Sequence, residues 1–396
     1  MSIPVGVNVA KLVGYAALRA APGVDVCKLA GYAALVPYGP PYPGVNVGKL
    51  VGYAALLAIP PFDYQKISAR KLLLTADVQA TPNETFADSA FTQVQRFEGA
   101  AVAEIAPTRT SNKDAAGKGT SFPTYGQVVG WDTGFKFRCE CEPWTLGWAL
   151  SLVTGSDTVI GSGPYTHTFG FPENTNIAPL TNFYIEDSLA VKTKYPDMAV
   201  QAVTFTYAAR GAIMMDIEML GTGRWTDVAI ASPPALVTPT YVLNSDTVVS
   251  LGPAAHLANF TATWGRVLSG MVKISSGLVK RAVPGGGLYG VDMRLGLPKV
   301  SFEFVIAVDH YADDLRTLLI NDTLCGLTAV SNSGAASQLK LNFPAFKVKV
   351  LRLGRNGENL EVLSISADET TAYNQASAGS IIAQVVNNVP AYLVTT

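Results

Sequence analysis

Two segments of the chain alternate apolar and polar residues with a period of two, which constrains the fold more than any other feature of the sequence. In the first segment four apolar and four charged residues alternate, in the order Phe135, Lys136, Phe137, Arg138, Cys139, Glu140, Cys141 and Glu142. In the second, apolar residues recur at Val300, Phe302, Phe304 and Ile306. Successive side chains of a β-strand point to opposite faces, so we predict two strands that each bury one face. The alternation assigns Glu140, Glu142 and Glu303 to the polar faces.

The surroundings of these two strands resemble each other. A helical pattern follows each strand, at residues 144–153 and 311–320, and a pair of strands follows each helix, at residues 198–220 and 346–365. A proline-rich segment at residues 232–239 separates the two halves. We therefore predict a mainly β protein with two tandem domains, at 62–231 and 240–396. Each is expected to be a β-sandwich or barrel with one flanking helix.

A repeat occupies the N-terminal part of the chain. Residues 6–18, 23–35 and 44–56 are nearly verbatim copies, and prolines and glycines separate them. The Val-Asn/Asp-Val opening of each copy alternates as a short strand would, but each unit is too short to bury a core of its own. Such units commonly stack, pair or bind one partner several times, so we predict a repeat extension over residues 1–61. Two interpretations stay open: an appendage that contacts a partner or neighbouring subunit, and a weakly ordered, recently duplicated extension.

The amino-acid composition argues against two classes of protein, sequence-specific DNA-binding proteins and proteins with membrane-spanning helices. Only 15% of the 396 residues are charged, 48% are hydrophobic and the formal net charge is −1. These values argue against a sequence-specific DNA-binding protein and suit a chain that buries much of its surface against partners. No uninterrupted apolar run reaches the roughly 18 residues that a membrane helix needs. The first residues do not match a signal peptide, so synthesis and assembly in the cytoplasm are expected.

Side chains capable of catalysis or metal binding do not form a known pattern. We interpret the four scattered cysteines as reduced and the paired Cys139 and Cys141 as core residues rather than zinc ligands. The three histidines lie outside any nucleophile motif or metal-ligand spacing; they are His167, His256 and His310. A phosphate-loop pattern near residues 112–121 fails at Asn112 and Gly119. We interpret Asp309, Asp313 and Asp314 as helix-capping residues. The prediction is a protein without enzymatic activity, cofactor or metal.

The order of several segments resembles that of the bacteriophage major tail proteins, also called tail-tube proteins. The resemblance covers roughly residues 71–393 and is carried by segments 130–138, 165–169, 183–186 and 343–348 in that order. It implies a virion protein whose subunits contribute strands to the continuous inner β-barrel of a ring. Stacked rings form the tail tube, through which DNA passes during ejection. Two such halves in one chain imply a trimeric, pseudo-hexameric ring, and the repeats lie outside the family pattern.

The same resemblance implies which residues contact neighbouring subunits and which line the lumen of the tube. Residues 107–121 form a long, polar, basic segment between predicted apolar strands. Long loops in compact domains are often functional. An ordinary loop is equally consistent with the sequence. In tail-tube proteins such a loop reaches neighbouring subunits, so Arg109, Lys113 and Lys118 are candidate inter-subunit contacts. By the same analogy the lumen is polar and on balance acidic. Glu140, Glu142 and Glu303 are the candidates from the alternation, which fits an outer surface equally. Other tail proteins are the expected further partners, with no membrane.

Two other functional classes compete with this interpretation. A carbohydrate-binding or adhesive surface protein would use the repeats to bind ligand and the β-domains as a scaffold, and exposed aromatics on a concave face would favour it. A hydrolase is disfavoured because no catalytic constellation is found.

Overall fold

The computed structural model describes residues 16–19, 33–36, 71–109, 127–172, 177–186, 192–208, 210–236, 238–253, 263–283, 287–307, 320–355, 361–368 and 381–395. The chain divides into two compact units, Met1–Ala69 and Arg70–Thr396. Several predictions fall outside the described residues. They concern Cys27, Lys113, Lys118, His256, His310, the aspartates at 309, 313 and 314, the phosphate-loop lookalike, and residues 311–319 of the second predicted helix.

The described elements confirm that the protein is mainly β. The first unit contains β1 (Ala16–Arg19) and β2 (Ala33–Val36). The first half of the second unit contains β3 (Lys71–Leu74), β4 (Asp77–Val78), β5 (Gln93–Gln95), β6 (Glu98–Arg109), β7 (Val128–Glu140), α1 (Pro143–Thr154), β8 (Thr158–Ile160), β9 (Tyr165–Phe169), β10 (Thr181–Glu186), β11 (Lys192–Tyr207), β12 (Met214–Gly221) and β13 (Thr226–Asp227). The second half contains β14 (Thr247–Pro253), β15 (Thr263–Ser275), β16 (Val279–Arg281), β17 (Asp292–Arg294), β18 (Lys299–Ala307), β19 (Cys325–Asn332), β20 (Gln338–Phe346), β21 (Val350–Arg355), β22 (Glu361–Ala367), β23 (Ile382–Asn387) and β24 (Val394–Thr395).

In the first unit, β1 and β2 pair in parallel, with Ala16 opposite Ala33 and Leu18 opposite Leu35. Both strands come from the Ala-Ala-Leu end of a repeat. The Val-Asn/Asp-Val openings, which the sequence predicts as strands, lie outside the described residues.

One antiparallel sheet, called here the long sheet, runs through both halves of the second unit in the order β6–β7–β12–β11–β15–β18–β22–β21. The predicted strands at 135–142 and 300–306 lie within β7 and β18, except that β7 ends at Glu140. The predicted strand pair at 198–220 is β11 with β12. At its turn Gly211 has φ 89°, a left-handed conformation that glycine adopts without strain.

A second antiparallel sheet has the order β14–β19–β20–β23–β9–β8. It is continuous with the long sheet, because β14 also pairs with β15. Strands of the two predicted domains pair with one another at three places: β11 with β15, β9 with β23, and β4 with β24. The division into domains at 62–231 and 240–396 stays a prediction.

The apolar faces of the two sheets share one core. Phe302 of the long sheet packs against Phe343 and Phe346 of the second sheet, with ring centroids 4.6 and 4.9 Å apart. Phe137 and Phe304 belong to the same buried cluster and follow the predicted alternation.

The first predicted helix is confirmed as α1. Pro143 starts it at a position where a missing backbone N–H costs nothing, and Gly155 ends it with φ 74°. The residues from Thr145 to Thr154 are buried, and Trp148 Nε1 donates a hydrogen bond to the Thr75 carbonyl at 2.8 Å.

The other general expectations concern membranes and thiols. No helix among the described residues is long and apolar enough to cross a membrane. Cys139, Cys141 and Cys325 are buried free thiols, as predicted.

Candidate assembly surface

The face of the long sheet that points away from the core carries two of the three predicted lumen residues. The strand registers align Glu140, Met214, Thr206, Met271, Glu303 and Ser366 in one row across β7, β12, β11, β15, β18 and β22. Glu140 comes from the first half of the unit and Glu303 from the second. Met271 is 45% exposed between them, so the row lies on an open face. We call this face the polar face.

The neighbouring positions of the polar face carry charges of both signs. Arg138 lies opposite Asp216, and Lys136 lies opposite Glu218. The Lys136 ammonium donates a 2.7 Å hydrogen bond to Glu218, which lowers the pKa of the Glu218 carboxyl and raises the pKa of Lys136. The polar face is therefore hydrophilic, with interspersed acidic and basic residues.

The predicted alternation fails at Glu142. Because β7 ends at Glu140 and the chain turns into α1, Glu142 lies at the N-cap of the helix and is only 6% exposed. Its side chain faces a recess of about 90 Å³ that Glu140, Arg96, Glu98 and Tyr241 also line. Burial raises the pKa of Glu142 to about 7, Arg96 opposes this shift and the Glu140 charge adds to it. Glu142 is thus not on the polar face, although the recess brings it close to Glu140.

Among the described strands, β6 pairs with β7 alone and β21 with β22 alone, so these two strands are the ends of the long sheet. An end strand presents unpaired backbone groups to which a further strand can bond. Pro107, which lacks a backbone N–H, lies in β6, a position typical of an edge. The exposed Glu104 lies on β6 and the exposed Arg352 on β21, so the two edges differ in charge. Arg109 is the last residue of β6 and is exposed.

His167 is a buried histidine with two hydrogen-bond acceptors. Its Nδ1 lies 2.9 Å from Asp157 Oδ1 and its Nε2 lies 2.8 Å from the Val389 carbonyl. Both partners accept, so the arrangement satisfies both ring nitrogens only when each carries a proton. Burial lowers the pKa of His167, but the bonds to Asp157 and Val389 outweigh it and the pKa is raised. Asp157 also accepts from the Tyr392 backbone N–H at 2.8 Å, so the pair attaches the C-terminal segment to β9.

Asp197 is a second buried polar centre, and sequence reasoning did not identify it. It accepts hydrogen bonds from Gln79 Nε2 at 2.9 Å and Thr222 Oγ1 at 2.8 Å, and Arg224 lies 3.6 Å away. Its φ of 58° is unusual for a residue other than glycine. Nothing in the local sequence marks this residue, because its partners come from distant segments.

These polar centres have the character of internal ties rather than of a reaction site. Among the described residues, no group of three or more His, Cys, Asp and Glu side chains could hold a metal ion. Asp157 joins His167 to the Tyr392 backbone, and Asp197 joins Gln79 to Thr222, so both centres connect distant parts of the chain.

No protein-family model matches the chain, and a search of curated proteins found no match. Function is therefore inferred from the geometry.

Proposed function

We propose that the protein is a virion structural protein that forms a bacteriophage tail tube, as stacked rings that make a conduit for DNA ejection. The observation that supports the proposal is the polar face of the long sheet. One row of that face contains Glu140 and Glu303, which come from the two halves that resemble tail-tube domains. The finer architecture belongs to the same proposal: two tandem tube domains, each a sandwich or barrel with a flanking helix.

A conduit needs a surface that does not hold DNA. Lysine and arginine that neutralise phosphates release counterions and bind DNA strongly. On the polar face, the ammonium of Lys136 is engaged by Glu218, and Arg138 lies opposite Asp216. Glu140 and Glu303 repel phosphate. Such a face would let DNA slide without being captured.

Ring formation requires surfaces that accept a second copy. In the described part of the long sheet, β6 and β21 are the two end strands, so a contact between β6 of one copy and β21 of another would be head-to-tail, the type that closes into rings. The contact candidate Arg109 ends β6, and the candidates Lys113 and Lys118 follow it in the sequence, outside the described residues. A trimeric, pseudo-hexameric ring is the expected assembly, with other tail proteins as further partners.

Electron microscopy of the purified protein tests assembly. We expect tubes or stacked rings. A 41.8 kDa monomer that persists at micromolar concentration, even with the other tail components present, would contradict the proposal. A monomer that binds immobilised glycans would instead support the carbohydrate-binding alternative.

The position of the polar face can be tested in the assembled tubes. Glu303→Cys, in a Cys27→Ser background, introduces an accessible thiol, since the three other cysteines are buried. If the polar face lines the lumen, a small maleimide will label the tubes and a gold-conjugated maleimide will not, whereas disassembled protein will react with both. Equal labelling of intact tubes by both reagents would place the face outside and contradict the lumen assignment.

A further inference from the structure

The strands of the long sheet follow the same order in both halves of the second unit. In the first half they are β6, β7, β12 and β11, and in the second half they are β15, β18, β22 and β21. Along the chain each half contributes these strands as first, second, fourth and third. The strands therefore correspond one to one, and β15 and β21 are the counterparts of β6 and β11.

The alternating segments of β7 and β18 extend this correspondence to single residues. Phe135 and Val300 are the first apolar residues of the two segments, so they are equivalent. Phe135 pairs with Ala103 of β6. Val300 pairs in the same way with Ile274 of β15. Ala103 is therefore the counterpart of Ile274.

The strands on the other side of β7 and β18 align by the same steps. Four residues after the starting positions, two successive pairings lead from β7 to β11 and from β18 to β21. The two paths are Cys139–Met215–Phe205 and Phe304–Ile365–Leu351. Phe205 is therefore the counterpart of Leu351. Two residues earlier, Val203 is the counterpart of Lys349.

Two pairs of glycines support the same alignment independently. Gly270 of β15 falls on Gly99 of β6, and Gly211 after β11 falls on Gly357 in the sequence after β21. Glycine has a physical role at both positions of the described pair. A Cβ at Gly270 would lie 2.5 Å from the ring of Phe304, and Gly211 has φ 89°. The arrangement of four strands thus occurs twice with the same residue register.

The junction between the two halves shows how one set of four strands binds the next. β11 pairs antiparallel with β15 over residues 202–207 and 270–275, so the third strand of one set binds the first strand of the following set. Among the described strands, the third strand of the second set, β21, pairs with β22 alone, and the first strand of the first set, β6, pairs with β7 alone. These two strands are the counterparts of a pair that the chain already forms.

The two strands carry opposite charges. The charged residues at positions 98–104 are Glu98 and Glu104, whereas those at positions 349–355 are Lys349, Arg352 and Arg355. Both glutamates are exposed, and so are Lys349 and Arg352. Opposite charges on neighbouring strands favour their pairing, and like charges disfavour it. β6 therefore suits β21 of a second copy better than it suits another β6.

We propose that β21 of one copy, with the two residues before it, pairs antiparallel with β6 of a second copy in the register of the internal junction. Lys349 then lies opposite Ala103, and Val348 lies opposite Glu104, as Val203 and Ala202 lie opposite Ile274 and Ser275 within the chain. The contact rests on the head-to-tail assembly proposed above and specifies its register. Each copy meets the next by the pairing that joins its own two halves.

Disulfide trapping between differently tagged full-length chains tests this register. Both chains carry Cys27→Ser; one carries Ala103→Cys and the other Lys349→Cys. Opposite residues of antiparallel strands have Cα atoms about 4.5–5.5 Å apart, within the range of about 4.4–6.8 Å that a disulfide bridges. We expect the 103–349 product in several-fold excess over the product of Ala103→Cys with Val348→Cys, because a shift of one residue turns the side chain to the other face. Glu104→Cys should cross-link with Val348→Cys, which shows that this thiol can react.

A further variant makes a negative result informative. One chain with both Thr204→Cys and Lys273→Cys should form an internal disulfide, because these residues lie opposite each other in the internal junction. If that disulfide forms and the 103–349 product does not exceed the 103–348 product, the proposed register is wrong. Tubes formed in the same experiment would then leave the tail-tube function standing. The 103–349 product in a protein that forms no tubes or rings would support this contact and contradict the tail-tube function.

Discussion

Asp197 and Glu142 are both buried carboxylates in a chain with few charges, yet their surroundings are opposite. Asp197 is fully buried and receives hydrogen bonds from Gln79 and Thr222 within 2.9 Å. Glu142 receives one long bond, from Gln93 Nε2 at 3.4 Å, and shares its recess with other carboxylates. Burial makes a charge costly unless donors compensate it. The comparison indicates that Asp197 joins segments of the fold, whereas Glu142 changes its protonation near neutral pH.

Replacement of Asp197 should produce the largest effect. In Asp197→Ala the buried donors of Gln79 and Thr222 lose their acceptor and Arg224 loses its counter-charge. We expect the free energy of unfolding to fall by about 3–5 kcal/mol, which urea denaturation can measure.

The control for this change is Asp197→Asn, which keeps one acceptor oxygen and a residue type that tolerates positive φ. It should lose clearly less stability than the alanine variant. Equal losses would mean that the negative charge of Asp197 beside Arg224 matters, and neither the remaining acceptor oxygen nor the backbone conformation.

His167 extends the comparison to a buried cation with a compensating partner. Its folded pKa is raised, so its contribution to stability is complete below the unfolded value of about 6.5 and is lost as pH rises through the folded pKa. His167→Gln should cost about 2–3 kcal/mol near pH 6, because Asp157 then lacks its cation. The difference between wild type and variant should shrink as the solution becomes alkaline. A difference that is constant with pH would mean that His167 is not charged in the fold.

Glu142→Gln should stabilise the protein above neutral pH, whereas the replacements of Asp197 and His167 should destabilise it. Because the pKa of Glu142 is raised to about 7, wild-type stability should fall between about pH 4.5 and 7, where the folded state keeps a proton that the unfolded state has lost. At pH 8 the glutamine variant should be more stable than wild type by about 1–2 kcal/mol, and at pH 4 the two should be alike. Glu104→Gln, at an exposed carboxylate of β6, is the matched control. Thermal unfolding at both pH values measures the difference.

The sequence was informative where structure depends on local pattern. The alternation of Phe135, Phe137 and Cys139 predicted the buried face of β7, and the helical pattern predicted α1. The alternation failed at Glu142 because the strand ends two residues earlier, which periodicity alone does not reveal. The partners of His167 and Asp197 could not be predicted, because Val389 and Gln79 lie far away along the chain. The repeat predicted pairing between units, but not that the Ala-Ala-Leu ends would pair.

The smallest expected effect concerns a charge pair that is not buried. Lys136 and Glu218 on the polar face have side chains 58% and 33% exposed, so water already solvates both groups. A double-mutant cycle with Lys136→Ala and Glu218→Ala should give a coupling energy of about 0.2–1 kcal/mol, which added salt should reduce. Asp197 should not show this salt dependence, because screening ions do not reach a buried centre. If the Lys136–Glu218 coupling instead exceeded the loss in Asp197→Asn, burial and donor number would not explain the difference between the carboxylates of this protein. The cycle thus gives the coupling energy of a charge pair that stays in water, and the effects at the buried Asp197 and Glu142 can be compared with that value.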